Sequence, residues 1–308
     1  MNLPFDLTEP FTVAQAAQAG ITRNMLTGAR YRRLFPGVYV AGDAPVSLPS
    51  LTGAALLAAD CAEFVSHQTA AKLLGAAVAD SAVIHLGTTA KHQSIVPGVH
   101  VHRFSTRPNL TTAAGLAVTA PAHTFVDLAR VLDLVDAVAL GDSLVHRGLT
   151  TPSQLTLLAR ARQGPGARAV RTAASYVRVG AQSPRESRLR MLPVLAGLPE
   201  PELQIEVIDR SGRRRFLDMG YRKWRVGIEY DGRHHVERAE QWEADILRRE
   251  DVESESWHLI SVTGRQLDAQ PGQVLSRIVT AVQRAGMTVP PLRDTWRVCF
   301  PGYQSLIA

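Results

Sequence analysis

Three carboxylates in the C-terminal part of the sequence are spaced to converge if the chain forms a β-hairpin there. Residues 216–220 and 226–231 have the alternating pattern of two short strands, which puts Glu229 and Asp231 on the same face of the second one. If the turn is centred between Lys223 and Trp224, Asp218 lies directly opposite Glu229, with Cβ atoms roughly 4.5 to 5.5 Å apart. The sequence therefore predicts a carboxylate cluster on this hairpin.

Such a cluster repels itself unless a cation lies within it, and a hard divalent ion is the natural occupant. Mg²⁺ is usually held by one or two carboxylates together with water and substrate phosphates, and Mn²⁺ prefers similar oxygen ligands. The alternative is the polar outer face of an ordinary hairpin, although Asp and Glu are poor strand formers. Arg214 and Arg215, beside the cluster, are expected either to bind DNA phosphates or to form a solvated hairpin tip.

The region from about residue 183 to residue 286 resembles the Vsr-like endonuclease branch of the PD-(D/E)XK nuclease superfamily. The matching pieces are Ser-Pro-Arg-Glu-Ser-Arg-Leu-Arg at 183–190, Leu-Asp at 217–218, Ile-Glu-Tyr-Asp-Gly-x-x-His at 228–235, Asp-x-x-Arg at 245–248 and Trp-His-Leu-Ile at 257–260. Each piece is weak alone, and together they are fairly specific.

This resemblance implies a restriction-endonuclease-like α/β core that hydrolyses DNA phosphodiester bonds with Mg²⁺ or Mn²⁺. Its elements would be a helix with a metal-side glutamate at Glu186, a strand with the metal ligand Asp218 and a strand with the ligand Glu229. A following helix would carry Asp245 and Arg248.

One position departs from the superfamily pattern. The lysine expected two residues after Glu229 is here Asp231, so the group that would orient the attacking water is missing from its usual place. His235, Gln241 and Arg248 are candidates to replace it, and the sequence does not choose among them.

Glu186 also has a purely local explanation. Ser183, Pro184 and Glu186 occupy the N-cap, N1 and N3 positions of a predicted capping box. Capping contributes about 0.5 to 2 kcal/mol, which is enough to account for the glutamate without catalysis. Both roles stay open at this point.

A compact basic unit is predicted at residues 11–41. Thr12 and Thr22 are N-caps of two short helices separated by a glycine, and the second helix extends to about Tyr31. A Pro-Gly turn over residues 34–40 then forms a small hairpin that would act as a wing. The expected DNA contacts are Arg23, Arg30, Arg32 and Arg33.

This unit resembles the winged-helix N-terminus of the AbiEi antitoxins of type IV toxin-antitoxin systems, with Gly-Ile-Thr-Arg and Arg-Leu-Phe-Pro-Gly-Val-Tyr at the expected points. The resemblance implies DNA binding by a winged helix-turn-helix. A toxin protein or a second copy of the chain is a further expected partner. The alternative is a helical hairpin that only packs against its neighbour.

Helices and strands are also predicted for the region that follows, which carries four histidines close together: His85, His92, His100 and His102. No second ligand pair at a recognisable spacing accompanies them, so the pattern disfavours a metal site.

We therefore predict an α+β protein with a winged helix-turn-helix at 1–45, a connecting region at 50–165, an endonuclease-like core at 180–287 and an irregular tail at 288–308. The net charge of +6 favours a polyanionic partner. Two distant cysteines, no secretory signal and no membrane-length apolar run predict a cytoplasmic protein without a membrane partner. Metal-dependent DNA cleavage is the expected function, and a non-enzymatic antitoxin-like repressor is the alternative.

Overall fold

The computed structural model describes residues 6–92, 94–208, 212–232 and 256–302. It has the mixed α+β architecture expected from the sequence, with three separate sheets among the described residues. The chain divides into two compact units, residues 1–131 and 132–308, and each is described by itself. The finer four-part division stays a prediction. No helix in the described ranges is both long and apolar enough to cross a membrane.

The first unit begins with a small helical and three-stranded region. Its elements are β1 (Phe11–Thr12), α1 (Val13–Gln18), α2 (Arg23–Leu26), β2 (Tyr31–Phe35) and β3 (Val38–Ala41). The strands form an antiparallel sheet in the order β1-β3-β2, and the β2–β3 hairpin turns at Pro36-Gly37 as predicted. Thr12 and Thr22 cap the two helices, as expected. A small core joins them through Phe11, Ala16, Ile21 and Leu26.

The second helix is shorter than predicted. It ends at Leu26 rather than near Tyr31. Tyr31 pairs with Ala41 and packs edge-on against Phe11 at a centroid distance of 5.9 Å, so the chain must already be extended there. Arg30 therefore lies between α2 and β2 and not on a helix.

The rest of the first unit is a five-stranded sheet with three helices. Its elements are α3 (Leu48–Ala58), β4 (Phe64–Val65), α4 (His67–Leu73), β5 (Ile84–Thr88), β6 (Val99–Arg103), β7 (Leu110–Ala113), β8 (Leu116–Thr119) and α5 (Pro121–Leu128). The order is β6-β5-β4-β8-β7, with β5 parallel to β6 and β4 parallel to β8. The β7–β8 hairpin was not predicted from the sequence. Its two turn residues, Ala114 and Gly115, have φ of 49° and 77°, as two-residue hairpin turns require.

In its described residues, the second unit has four helices, then a mixed sheet, and two helices after the last strand. Its elements are α6 (Leu134–His146), α7 (Pro152–Ala161), α8 (Ala167–Tyr176), α9 (Pro184–Leu195), β9 (Glu202–Ile208), β10 (Arg214–Tyr221), β11 (Val226–Asp231), β12 (His258–Thr263), α10 (Gly264–Ala269) and α11 (Pro271–Arg284). The sheet order is β12-β11-β10-β9, with β12 parallel to β11 and the other pairs antiparallel. Both α9 and α11 pack against β11. Between Met287 and Gly302 the chain is irregular apart from a short 3-10 turn at Thr295–Val298.

A buried guanidinium ties the helices of the second unit together. Arg190 on α9 is fully buried and donates to Asp142 of α6 at 2.8 Å, to Glu200 at 2.6 Å and to the carbonyl oxygen of Tyr176 at 2.9 Å. Burial raises the pKa of Asp142, while Arg190 and the backbone N–H of Arg178 act in the opposite direction. Because Arg190 and Asp142 are both buried, removing one of them leaves the charge of the other uncompensated.

We expect Arg190→Met to lower the free energy of unfolding by about 3 to 5 kcal/mol, the usual cost of breaking a buried pair. Arg297→Met is the matched control, because Arg297 pairs with Asp294 on the surface, where such a pair contributes at most about 1 kcal/mol. Urea unfolding followed by circular dichroism measures both. Equal losses in the two variants would contradict the role of the buried network.

Candidate functional site

The β10–β11 hairpin has the register predicted from the sequence. A 3-10 turn at Arg222–Trp224 joins the strands, and Arg225 follows it in a left-handed conformation with φ of 49°. The paired positions are Met219 with Ile228, Gly220 with Gly227 and Tyr221 with Val226. All three pairs are symmetric about the peptide bond between Lys223 and Trp224, which is the turn centre that the predicted pairing of Asp218 with Glu229 requires.

Two opposed glycines hold this register. A Cβ atom on Gly220 would lie 2.3 Å from the carbonyl oxygen of Val226, and one on Gly227 would lie within 2.8 Å of the side chains of Leu217 and Leu259. At Gly220 the obstacle is backbone, so only glycine fits there, whereas a side chain at Gly227 would displace the two leucine side chains.

Asp218 lies one residue beyond the last of these pairs and contacts the facing strand through its side chain. Its Oδ2 accepts a hydrogen bond from the backbone N–H of Tyr230 at 2.7 Å. Glu229 is the neighbour of Tyr230 in β11, and Asp231 follows it; all three are half-buried, as is Asp218. The hairpin thus brings Asp218 to the strand segment that carries the other two predicted carboxylates.

Glu186 is engaged by the start of α9. The Ser183 hydroxyl accepts the backbone N–H of Glu186 at 3.1 Å, which confirms the predicted cap. In return, Oε2 of Glu186 accepts a hydrogen bond from the backbone N–H of Gln182 at 2.9 Å. A capping box would use the N–H of Ser183 instead, so only the serine half of the predicted box is formed. Since Glu186 is 8% exposed, this local bond explains why a charged side chain is tolerated there.

The arginines of the same motif also have structural partners. Arg185 donates twice to Asp268, at 2.7 and 2.8 Å, and these bonds raise its pKa. Arg188 donates to Asp136 at 3.1 Å and lies 5.1 Å from the ring centroid of Phe300. The segment at 183–190 therefore anchors α9 to its surroundings.

The arginines beside the carboxylates differ in exposure. Arg214 is exposed and pairs with Glu206 at 3.2 Å, a surface interaction that contributes little stability. Arg215 is half-buried on the same strand. Within the described residues, no group of three or more His, Cys, Asp or Glu side chains has the arrangement of a metal site. The predicted site residues His235 and Gln241, together with Asp245 and Arg248, lie outside the described residues.

The expected DNA contacts of the first unit are all on its surface. Arg23, Arg30, Arg32 and Arg33 are exposed. Arg32 donates to the carbonyl oxygen of Ala44 at 2.5 Å, so its guanidinium is already positioned by the fold. Arg33 lies on β2 next to the Pro36-Gly37 turn.

Three of the four histidines noted in the sequence lie together in the first unit. A fourth member of this cluster, His67, was not expected from the sequence. His67, the first residue of α4, stacks on His102, and His102 also stacks on His85 and His100. His92 is exposed, and its charge acts on Asp60 instead. The parallel pairing of β5 with β6 brings His85 across from His100. His67 could have been found only by knowing that α4 packs on β5.

Comparison with known proteins gives little functional information. The chain is 28% identical over 221 residues to two proteins of Mycobacterium tuberculosis, the uncharacterized protein MT2308 of strain CDC 1551 and the uncharacterized protein Rv2248 of strain H37Rv. Each match covers 71% of this chain and 81% of the relative. No family model matches the sequence. No solved structure matches it either.

Proposed function

We propose that this protein binds DNA through its N-terminal basic unit and hydrolyses DNA phosphodiester bonds at a divalent-cation site on the β10–β11 hairpin. The observation that carries the proposal is the hydrogen bond from the Tyr230 N–H to Asp218. It joins β10 to β11 at the residues of β11 that carry Glu229 and Asp231. Two carboxylates from facing strands are the protein ligands that Mg²⁺ commonly uses, water and phosphate oxygens supplying the rest.

The order of elements also supports the proposal. A helix with Glu186 precedes a strand with Asp218 and a strand with Glu229, and a parallel strand follows at His258–Thr263. This is the order that the Vsr-like resemblance implies. At the N-terminus, two capped helices followed by a hairpin have the order of a winged helix-turn-helix.

In this mechanism Asp218 and Glu229 would hold Mg²⁺ or Mn²⁺, with Asp231 or Glu186 completing the shell. When bound, the ion lowers the pKa of a water and neutralises charge that develops on the phosphate. The Tyr230 N–H would orient the Asp218 carboxylate, and Arg214 and Arg215 would hold neighbouring phosphates.

A second candidate is a non-enzymatic, antitoxin-like repressor with a degenerate nuclease fold. Two observations favour it: Asp231 stands where the superfamily has lysine, and one oxygen of Glu186 is used by the start of α9. In this case the N-terminal basic unit would bind DNA, and a toxin protein or a second copy of the chain would be the protein partner.

Asp218→Asn tests the proposed cation site with little change of shape, because the amide oxygen can still accept the Tyr230 N–H. We expect plasmid cleavage with Mg²⁺ or Mn²⁺ to fall at least about 100-fold, since even outer-shell changes at metal sites cost 10- to 100-fold. DNA binding by the N-terminal basic unit should be retained. Asp294→Asn, at an exposed carboxylate of the tail, is the control and should cleave like the wild type.

Wild-type protein that cleaves no form of DNA but melts at a higher temperature with Mn²⁺ would favour the repressor with a relic site. Neither cleavage nor stabilisation would mean that the carboxylates are only a solvated sheet face.

Charge reversal of Arg30 and Arg33 tests the basic unit separately. We expect weaker duplex binding and a flatter salt dependence, because each lost phosphate contact reduces the slope of log K against log salt by about 0.9. The matched control is Arg160→Glu with Arg168→Glu, which changes the net charge equally at exposed positions of the second unit. Fluorescence anisotropy over a range of salt concentrations measures both. Binding that weakens equally in the two double variants would rule out a specific role for the N-terminal basic unit.

A further inference from the structure

The four stacked histidines of the first unit form a compact cluster with His102 at its centre. The ring centroid of His102 lies 3.6 Å from that of His67 and 4.2 Å from that of His100, with interplanar angles of 13° and 10°. His85 contacts the cluster edge, where its Nδ1 is 2.8 Å from Nε2 of His102. The rings of His67, His102 and His100 are nearly parallel, and the described residues contain no group of three or more His, Cys, Asp or Glu side chains arranged to hold a metal ion.

The fold holds His67 in this cluster despite an unfavourable backbone conformation. Its φ is 49°, a left-handed value that residues other than glycine rarely adopt. The Ser66 hydroxyl lies 3.1 Å from Nδ1 of His67, and the Ser81 hydroxyl lies 3.0 Å from Nε2 of His85. Local strain of this kind persists only where the surrounding structure requires it, and it often marks a functional element.

The surroundings of the stack favour neutral imidazoles. Burial lowers the pKa of His67 and of His102 to about 3, and that of His85 below its ordinary value. Neighbouring positive charges lower these pKa values further. His100 acts on His67, His85 and His102, and Arg130 acts on His67. The hydrogen-bond partners at the cluster edges are the neutral serine hydroxyls.

Other ionisable side chains lie on the elements around the stack. Lys72 of α4 pairs with Asp80, and Arg103 is exposed at the end of β6. Burial lowers the pKa of His123 on α5, and Asp127 lies on the same helix.

We propose that the histidine stack is a proton-sensitive lock that fastens the edge strand β6 to β5 and α4 at neutral pH and releases it on acidification. β6 stands at one end of the sheet order, so β5 is its neighbour in the sheet. His102 links it to α4 through His67 and to β5 through His85. Protonation of rings stacked at 3.6 to 4.2 Å would place like charges side by side in a half-buried environment.

The direction of the effect follows from proton linkage. A histidine that is neutral in the closed state and exposed when β6 opens takes up a proton on opening whenever the pH is below about 6.5. The stabilisation of the closed state is therefore complete above that pH and falls as the pH falls towards 3. At pH 5.0 each such imidazole favours opening by about 30-fold relative to pH 8.

Hydrogen exchange of the full-length protein, followed by mass spectrometry from pH 7.5 to 5.0 in the presence of EDTA, tests the lock. After correction for intrinsic exchange rates, the protection of β6 amides should fall by tens to hundreds of fold at pH 5.0. Amides of α11 in the second unit are the internal reference and should keep their protection. EDTA excludes a contribution from a bound metal ion.

Two variants identify the residues that respond. His102→Phe keeps a flat ring in the stack but removes its proton site, so the loss of β6 protection at pH 5.0 should be about 30-fold smaller. His100→Gln, at an exposed position, removes a charge that acts on the other three rings and should also weaken the response. It serves as the test if His102→Phe does not fold. His92→Gln is the control, because His92 lies outside the stack, and it should respond like the wild type.

Protection of β6 that does not change between pH 7.5 and 5.0 would overturn the proposal. So would a response that His100→Gln leaves unaltered, or one that His92→Gln reduces as much as the stack variants do.

Discussion

The register of the β10–β11 hairpin is the constraint on which the candidate site depends. Gly220 and Gly227 face each other, and the backbone of β11 leaves no room for a Cβ at Gly220, so a shift of one residue would bring a side chain into that contact. Such a shift would also move every side chain of the strand to the other face of the sheet. The same register places Asp218 within hydrogen-bond reach of Tyr230 and therefore beside Glu229. Backbone packing of two glycines thus positions the carboxylates.

The α9 segment is fixed to other parts of its unit by contacts that are independent of catalysis. Arg185, Arg188 and Arg190 each donate to carboxylates from other parts of the unit, and Ser183 caps the helix. The segment that resembles part of a nuclease therefore also holds α9 in place. Its arginines are explained by these structural contacts without any role in catalysis. The chemistry of the proposed site consequently depends on Asp218 and Glu229.

Features set by local rules could be predicted from the sequence. Thr12, Thr22 and Ser183 are N-caps because their hydroxyls accept nearby N–H groups. The alternation of the two hairpin strands also follows from the sequence, and a turn between Lys223 and Trp224 gives the observed register. Features set by distant contacts could not. The second helix stops at Leu26 because Tyr31 must pair with Ala41, and His67 meets His102 only through the packing of α4 on the sheet. For Glu186, the sequence predicted capping, but not that its carboxylate would bond to Gln182.

The position of a bound cation tests the central claim most directly. Crystals of the protein soaked in Mn²⁺ would give an anomalous difference signal wherever that ion binds. Our account predicts a peak within coordination distance of both Asp218 and Glu229, and its absence in crystals of Asp218→Asn. A peak only at the histidine stack, or no peak at the hairpin in well-diffracting crystals, would contradict the assignment of these carboxylates as a cation site.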